Sequence, residues 1–336
     1  MISKDFIYGL PKAELHLHLE GTLEPDLKLE LAKKNNIDLG MTTVEEITET
    51  YQFNDLPSFL DVYYSGMECL QTEDDFYRLA LEYLKKAQDN GVKHAEMFFD
   101  PQAHTRRGVS FDDVINGYYR ASQESEEKFG ITSALILCFL RDESEESALE
   151  HFEMAMKHKE KIVGFGLDSD EYKNPPTKFQ RVFAKIAENG FKQTMHCDID
   201  QENSMQNIHD VIHVIGVDRI DHGTNIVEDP ELVEYIIEND LGLTSCPISN
   251  SFVTSDMKAK EIKYLLNKGV KIMINSDDPA YFRSYVANDM YELANRFDFS
   301  QEEVVQLAKN SFLISWISDE EKAEYIKAID EYVANY

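Results

Sequence analysis

Pro11-Lys12-Ala13-Glu14-Leu15-His16-Leu17-His18-Leu19-Glu20-Gly21 alternates polar and apolar residues and stops at a glycine, which predicts a short strand over Ala13–Leu19. His16 and His18 lie two apart on that strand, so both rings point to one face, and Glu20 follows at its end. Seven more β-rich runs follow: Val92–Phe99, Ser133–Leu140, Ile162–Leu167, Lys192–Cys197, Arg219–Asp221, Gly242–Cys246 and Lys271–Ile274. From the third onward they recur at roughly 30 residues or fewer, about one βα unit each. Helical stretches sit between them, such as Lys178–Glu188, Asn207–Ile215, Pro230–Glu238 and Lys258–Lys268. Eight strands in this rhythm predict an α/β fold, a (β/α)8 TIM barrel. The rival, an open doubly wound sheet, lacks its Gly-rich phosphate-binding turn here.

Two regions break the rhythm. Between Leu19 and Val92 the chain is rich in helix formers and aromatics (Leu27–Asn35, Phe59–Leu70, Asp74–Gln88), a helical insertion over about 24–90 that would cover one mouth of the barrel. After Asp278 it reads as helices to the end, about 284–336. Ser300-Gln301-Glu302-Glu303 and Ser318-Asp319-Glu320-Glu321 both fit a capping box there. No low-complexity tract or linker intervenes, so residues 1–336 read as a single barrel domain.

The composition narrows the function. With 33 Lys plus Arg against 63 Asp plus Glu in 336 residues, the formal charge of −30 argues against nucleic acid or an anionic membrane as partner. Hydrophobic residues at 43% suffice for a buried core. Four scattered cysteines (Cys69, Cys138, Cys197, Cys246) form no CxxC pair, which argues against a disulfide scaffold or a Cys-rich zinc site. No secretory pattern opens the chain and no run suits a membrane span, so the expectation is a cytoplasmic protein acting on a small molecule, of open oligomeric state.

Chemistry in a barrel sits at the C-terminal ends of its strands. Those ends read His16-Leu17-His18-Leu19-Glu20-Gly21, Met195-His196-Cys197-Asp198, Asp221-His222-Gly223 and Asn275-Ser276-Asp277-Asp278. His16 and His18 form a ready pair of zinc ligands, and His196 and Asp277 would complete a mixed N/O site. His222, a further histidine beside a metal, suits a general base or an orienting role. Asp278 either bonds a substrate or caps the segment entering Pro279. Cys197 and Cys246 read as buried packing residues. His151, His158, His209 and His213, with the carboxylates of Glu143–Glu146, read as solvated helix faces.

Pro11 to Leu23 resembles the opening motif of the adenosine/adenine deaminase family, metal-dependent barrels of the amidohydrolase superfamily. Ser245-Cys246-Pro247-Ile248-Ser249-Asn250 and Asn275-Ser276-Asp277-Asp278-Pro279-Ala280-Tyr281-Phe282 are similar to two later motifs. The resemblance implies one Zn2+ per subunit on His16, His18, His196 and Asp277. It also implies that His222 activates the attacking water, that Asp277 holds it and that Asp278 contacts purine N7. Glu20-Gly21-Thr22-Leu23-Glu24-Pro25, Phe98-Phe99-Asp100-Pro101-Gln102-Ala103-His104-Thr105 and Pro175-Pro176-Thr177-Lys178-Phe179-Gln180 resemble the adenine branch. That branch implies adenine going to hypoxanthine and ammonia. Glu20, where adenosine deaminases usually carry Asp, would intrude on ribose space, and a backbone group near Ser169 would meet purine N3.

One departure stands out. The family's strand-five motif is His-Ala-Gly-Glu, whose Glu protonates purine N1; here it reads His196-Cys197-Asp198-Ile199-Asp200. Isoleucine donates no proton, and general acid catalysis contributes about 10² to 10⁴ in rate. Three readings stay open. Asp198 or Asp200 supplies the proton; the substrate is another purine, such as adenosine or an N6-substituted adenine; or the chain is a catalytically silent purine-binding protein.

Overall fold

The computed structural model describes residues 1–336. Eight parallel strands follow one another in chain order around a nearly closed barrel: β1 Lys12–Glu14, β2 Val92–Phe99, β3 Thr132–Leu140, β4 Gly164–Asp168, β5 Lys192–Cys197, β6 Arg219–His222, β7 Gly242–Ser245 and β8 Ile272–Ile274. This is the (β/α)8 architecture expected from the rhythm of the runs. The second and fifth strands have the expected bounds, and the others differ by one to a few residues.

The first strand is the informative difference. The alternation over Ala13–Leu19 predicts a continuous strand, but the ladder ends at Glu14 and only single bridges continue it, Leu17 to Asp277 and His18 to Phe98. Between β8 and β1 a side chain replaces the ladder. Asn275 Oδ1 accepts the backbone N–H groups of Leu15 (2.9 Å) and His16 (3.1 Å), and Asp277 N then donates to His16 O (3.2 Å). The arch that carries both histidines is therefore pinned to the segment that carries Asp277.

The opposite, N-terminal end of the barrel is closed by charge. Fully buried Arg219 donates from Nη1 to Glu96 Oε2 (2.5 Å) and lies 4.1 Å from the ring centre of Trp316. Burial alone would raise the Glu96 carboxyl, but Arg219 outweighs it and holds it at about 2. A buried pair with such partners fixes the closed end, the face where barrels invest in stability.

The expected helix over Asn207–Ile215 divides into an α-helix Ser204–Asp210 and a π-helical turn Val211–Ile215, stopped by left-handed Gly216 (φ +81°). Both capping boxes expected near the C-terminus are present, at Ser300 with Glu303 and at Ser318 with Glu321. No helix is long and apolar enough to cross a membrane.

Two expected solvated groups are buried. His151 shares the stripe of Ala148, Phe152 and Ala155 in helix Glu145–Ala155, spaced i−3, i+1 and i+4 around it. It donates from Nδ1 to Ser147 O (2.8 Å) and bonds Thr105 Oγ1 from Nε2 (2.7 Å). Glu145 is 8% exposed, because its carboxylate accepts the backbone N–H groups of Arg181 and Val182 and the Arg181 guanidinium.

Candidate active site

At the C-terminal mouth a cavity of about 370 Å³ is lined by residues from several strand ends and by helix Leu56–Gly66 of the segment following β1. His18, His196, His222, Asp277, Asp278, Asp198 and Ser169 all line it. His16 lies beneath them, fully buried. Four of the cavity residues hold left-handed backbone without being glycine: Ser169 (φ +73°), Asp200 (+56°), His222 (+58°) and Asp277 (+65°). Such strain collects where the surrounding structure must aim a side chain.

Ring nitrogens and one carboxylate converge at contact distance. His16 Nε2 lies 3.2 Å and His18 Nε2 3.3 Å from Asp277 Oδ1, and His18 Nε2 lies 3.1 Å from His196 Nε2. Tetrahedral zinc with bonds of about 2.0–2.1 Å sets its ligands roughly 3.3 Å apart. The tautomer of His16 suits this use. Thr244 Oγ1 donates to Asp221 Oδ1 (2.9 Å), so it accepts from His16 Nδ1 (2.8 Å) and leaves Nε2 a bare acceptor. That Nε2 is buried with no hydrogen-bond partner. His16, His18, His196 and Asp277 thus form a four-donor cluster that fits a zinc ion. Cys246 lies beside His16, His222 and Asp277, but burial and then Asp277 push its thiol well above the usual range, so it stays protonated and is a poor ligand.

The surroundings supply negative charge. Ser249 Oγ donates to Asp277 Oδ2 (2.6 Å), and Asp168 Oδ2 lies 3.3 Å from His18 Nδ1. Burial pushes Asp277 up, but the adjoining His16 and His18 outweigh it and hold the carboxyl well below the usual range. The cavity wall carries eight aspartates and no lysine or arginine, so it offers no basic side chain to a phosphorylated ligand.

His222 Nε2 is 3.7 Å from Asp198 Oδ1 and 3.9 Å from Asp277 Oδ2. Burial, and then His16, push this imidazole down to about 3, so the ring is neutral. Burial, and then Glu171, push Asp198 well above the carboxylate range and favour its protonated form. Asp278 precedes the short helix Pro279–Phe282 but makes no capping bond; its Oδ1 is buried without a partner. Ser169 accepts at Oγ from Tyr64 OH (2.7 Å).

The structure separates the two aspartates that follow Cys197. Asp200 also lines the cavity, but its carboxylate is held by Lys258 Nζ (2.7 Å) and Asn225 Nδ2 (3.1 Å), and these partners, against burial, lower it. Ile199 lines the cavity at 3% exposure. Glu20 does not line the cavity. A 3-10 turn over Glu20–Thr22 carries its side chain into the wall, where Oε1 accepts from His104 Nε2 (2.8 Å) and Tyr118 OH (3.0 Å). Intrusion on ribose space by Glu20 itself is therefore corrected to support of the wall. Thr244 and Asp221 support His16 without any local sequence signal, since the contact joins residues on different strands.

The adenosine deaminase family model matches residues 11–332. The chain is 47% identical, over 98% of each chain, to the adenine deaminase of Vibrio parahaemolyticus. Its fold superposes on the crystal structure of adenine deaminase from Arthrobacter aurescens with a TM-score of 0.93 at 42% identity, covering 97% of this chain and 99% of that one. It also superposes on a zinc-bound amidohydrolase from Burkholderia ambifaria with a TM-score of 0.89 at 25% identity, covering 100% and 95%.

Proposed function

The chain belongs to the adenosine deaminase family, and from that premise we propose that it hydrolyses adenine to hypoxanthine and ammonia at the barrel mouth. It is a metal-dependent hydrolytic deaminase. The observation that carries the reading is the meeting, around one cavity, of the four-donor cluster with His222, Asp198 and Asp278.

In this reading His16, His18, His196 and Asp277 hold one zinc per chain. A zinc ion there would supply Lewis-acid activation of the attacking water. His222 Nε2 would take a proton from the attacking water, and Asp277 Oδ2, 3.9 Å away, would orient that water. As C6 becomes tetrahedral, Asp198 delivers a proton towards N1. Ammonia then leaves, its amino group taking the proton held by His222 while the C6 hydroxyl returns one to Asp198, so one water is consumed for each adenine. Asp278 takes purine N7 and the backbone near Ser169 takes N3, while Glu20 braces Asp100 and the wall. Asp200, paired with Lys258, carries no proton in this scheme.

The same proposal takes residues 1–336 as one hydrolase domain, with the helical insertion at about 24–90 and terminal helices at about 284–336. It also includes a cytoplasmic location, and a lack of nucleic-acid or anionic-membrane partners that the formal charge of −30 supports.

Comparing amine release from adenine, adenosine and N6-methyladenine tests the substrate. Turnover of adenine well above the other two is expected; preference for either competitor would replace adenine as the assignment. Gly21 gives a second check. A Cβ there would overlap Asp278 Oδ1 and lie 2.8 Å from Asp278 Cα. Gly21→Ala is therefore expected to displace Asp278 and weaken hypoxanthine binding, measured by calorimetry, by about 0.5–1.5 kcal/mol, the range of a neutral hydrogen bond.

A further inference from the structure

We infer that Glu171, held by Arg141, is the positioning residue that fixes Asp198 for proton delivery, a clamp accompanying the altered motif His196-Cys197-Asp198-Ile199. The inference rests on the proposed role of Asp198.

The pairing of β4 with β5 is short. Its register runs only through Gly164 with Lys192 and Phe165 with Gln193, so the rest of β5 has no ladder on that side. Lys192 N donates to Val163 O, whereas Cys197 O accepts from Gly223 N on the β6 side. Backbone groups alternate along a strand, so His196 and Asp198 present theirs towards β4, where the ladder has ended.

Two side chains take its place. Arg141, just after β3, donates from Nη1 to His196 O (2.9 Å), and Glu171, just after β4, accepts at Oε2 from Asp198 N (2.7 Å). The two are joined by Arg141 Nη1 to Glu171 Oε2 (3.1 Å). Asn207, on helix Ser204–Asp210, donates to Glu171 Oε1 and completes the carboxylate's partners. The peptide on each side of Cys197 is thereby fixed between a metal-site histidine and the proposed acid.

Stability alone is a poor reason for this arrangement. Arg141 is fully buried, yet its Nη2 has no partner. Apolar residues of similar volume commonly match or exceed such a pair in stability. What an apolar pair cannot supply is an acceptor for Asp198 N and a donor for His196 O.

The test compares wild type with Glu171→Ala and with the double variant Arg141→Met, Glu171→Leu, which keeps the site filled should the unpaired arginine unfold the first. Zinc per chain, melting temperature, kcat and KM on adenine, and hydrogen exchange across residues 197–203 are measured. The expected result is faster exchange in that segment and kcat lower by about ten- to a hundredfold, as for a small misplacement of a reacting group. KM and zinc per chain should hold. Glu171→Gln, which keeps an acceptor for Asp198 N, should recover most of the loss. Unchanged exchange and unchanged kcat per zinc in the double variant, with only the melting temperature moved, would overturn the clamp. Wild-type protein inert on adenine, with exchange still responding to Glu171, would instead overturn the adenine assignment and leave the clamp standing.

Discussion

Asp277→Asn is expected to bring adenine turnover to background and to remove most of the bound zinc. The substitution keeps the shape of the side chain and an acceptor for Ser249 Oγ, but it removes the one carboxylate among four donors. Asp277 Oδ1 faces two imidazole nitrogens at once, at 3.2 and 3.3 Å, and a neutral amide screens neither from a cation. Elemental analysis reads the metal. A melting curve with and without added zinc reads the linkage, because an ion at a thousandfold excess over its dissociation constant stabilises the native state by about 4 kcal/mol. The variant should lose that zinc-dependent shift. Full zinc content with wild-type turnover would remove Asp277 from the cluster.

Asp198→Asn is expected to lower kcat by about 10² to 10⁴, equivalent to roughly 3–5 kcal/mol in the barrier. The asparagine retains the backbone N–H that Glu171 accepts, so the segment should stay in place. Zinc content and hypoxanthine affinity should therefore match the wild type, which separates a missing proton from a damaged fold. Asp200→Asn provides the contrast: its carboxylate is engaged by Lys258 and Asn225 and takes no part in proton delivery, so kcat should change by no more than about threefold, the scale of a weak ion pair of about 0.5 kcal/mol. Ile199→Glu is expected not to raise turnover, since it would bury a second carboxylate beside Asp198. A gain there, with Asp198→Asn still active, would show that the acid is missing from this chain.

The parts of the site legible in the sequence are those whose chemistry and spacing coincide locally. His16 and His18 share a face because two residues separate them, and His196, His222 and Asp277 were placed by the rule that barrel chemistry collects at strand ends. The structure gathers all five there. Local reading fails where a partner arrives from a distant strand. Nothing near Glu171 announces that it meets Asp198 N, or that Thr244 and Asp221 set the tautomer of His16. Glu20 was misread because its backbone leaves the strand and enters a 3-10 turn, which swings the carboxylate into the wall. Alternation alone also overextended the first strand, because Asn275 replaces the ladder that the pattern implies. The burial of His151 did have a local signal, since Ala148, Phe152 and Ala155 mark the apolar stripe on which it lies.

The most direct measurement mixes protein of verified zinc content with adenine and follows the ultraviolet spectrum and ammonia together. Hydrolysis at this site predicts hypoxanthine and ammonia in equal amounts over many turnovers, lost on chelation and restored by zinc. Purine bound at one per chain with no ammonia released, the metal site being full, would contradict it and leave a binding protein in place of a deaminase.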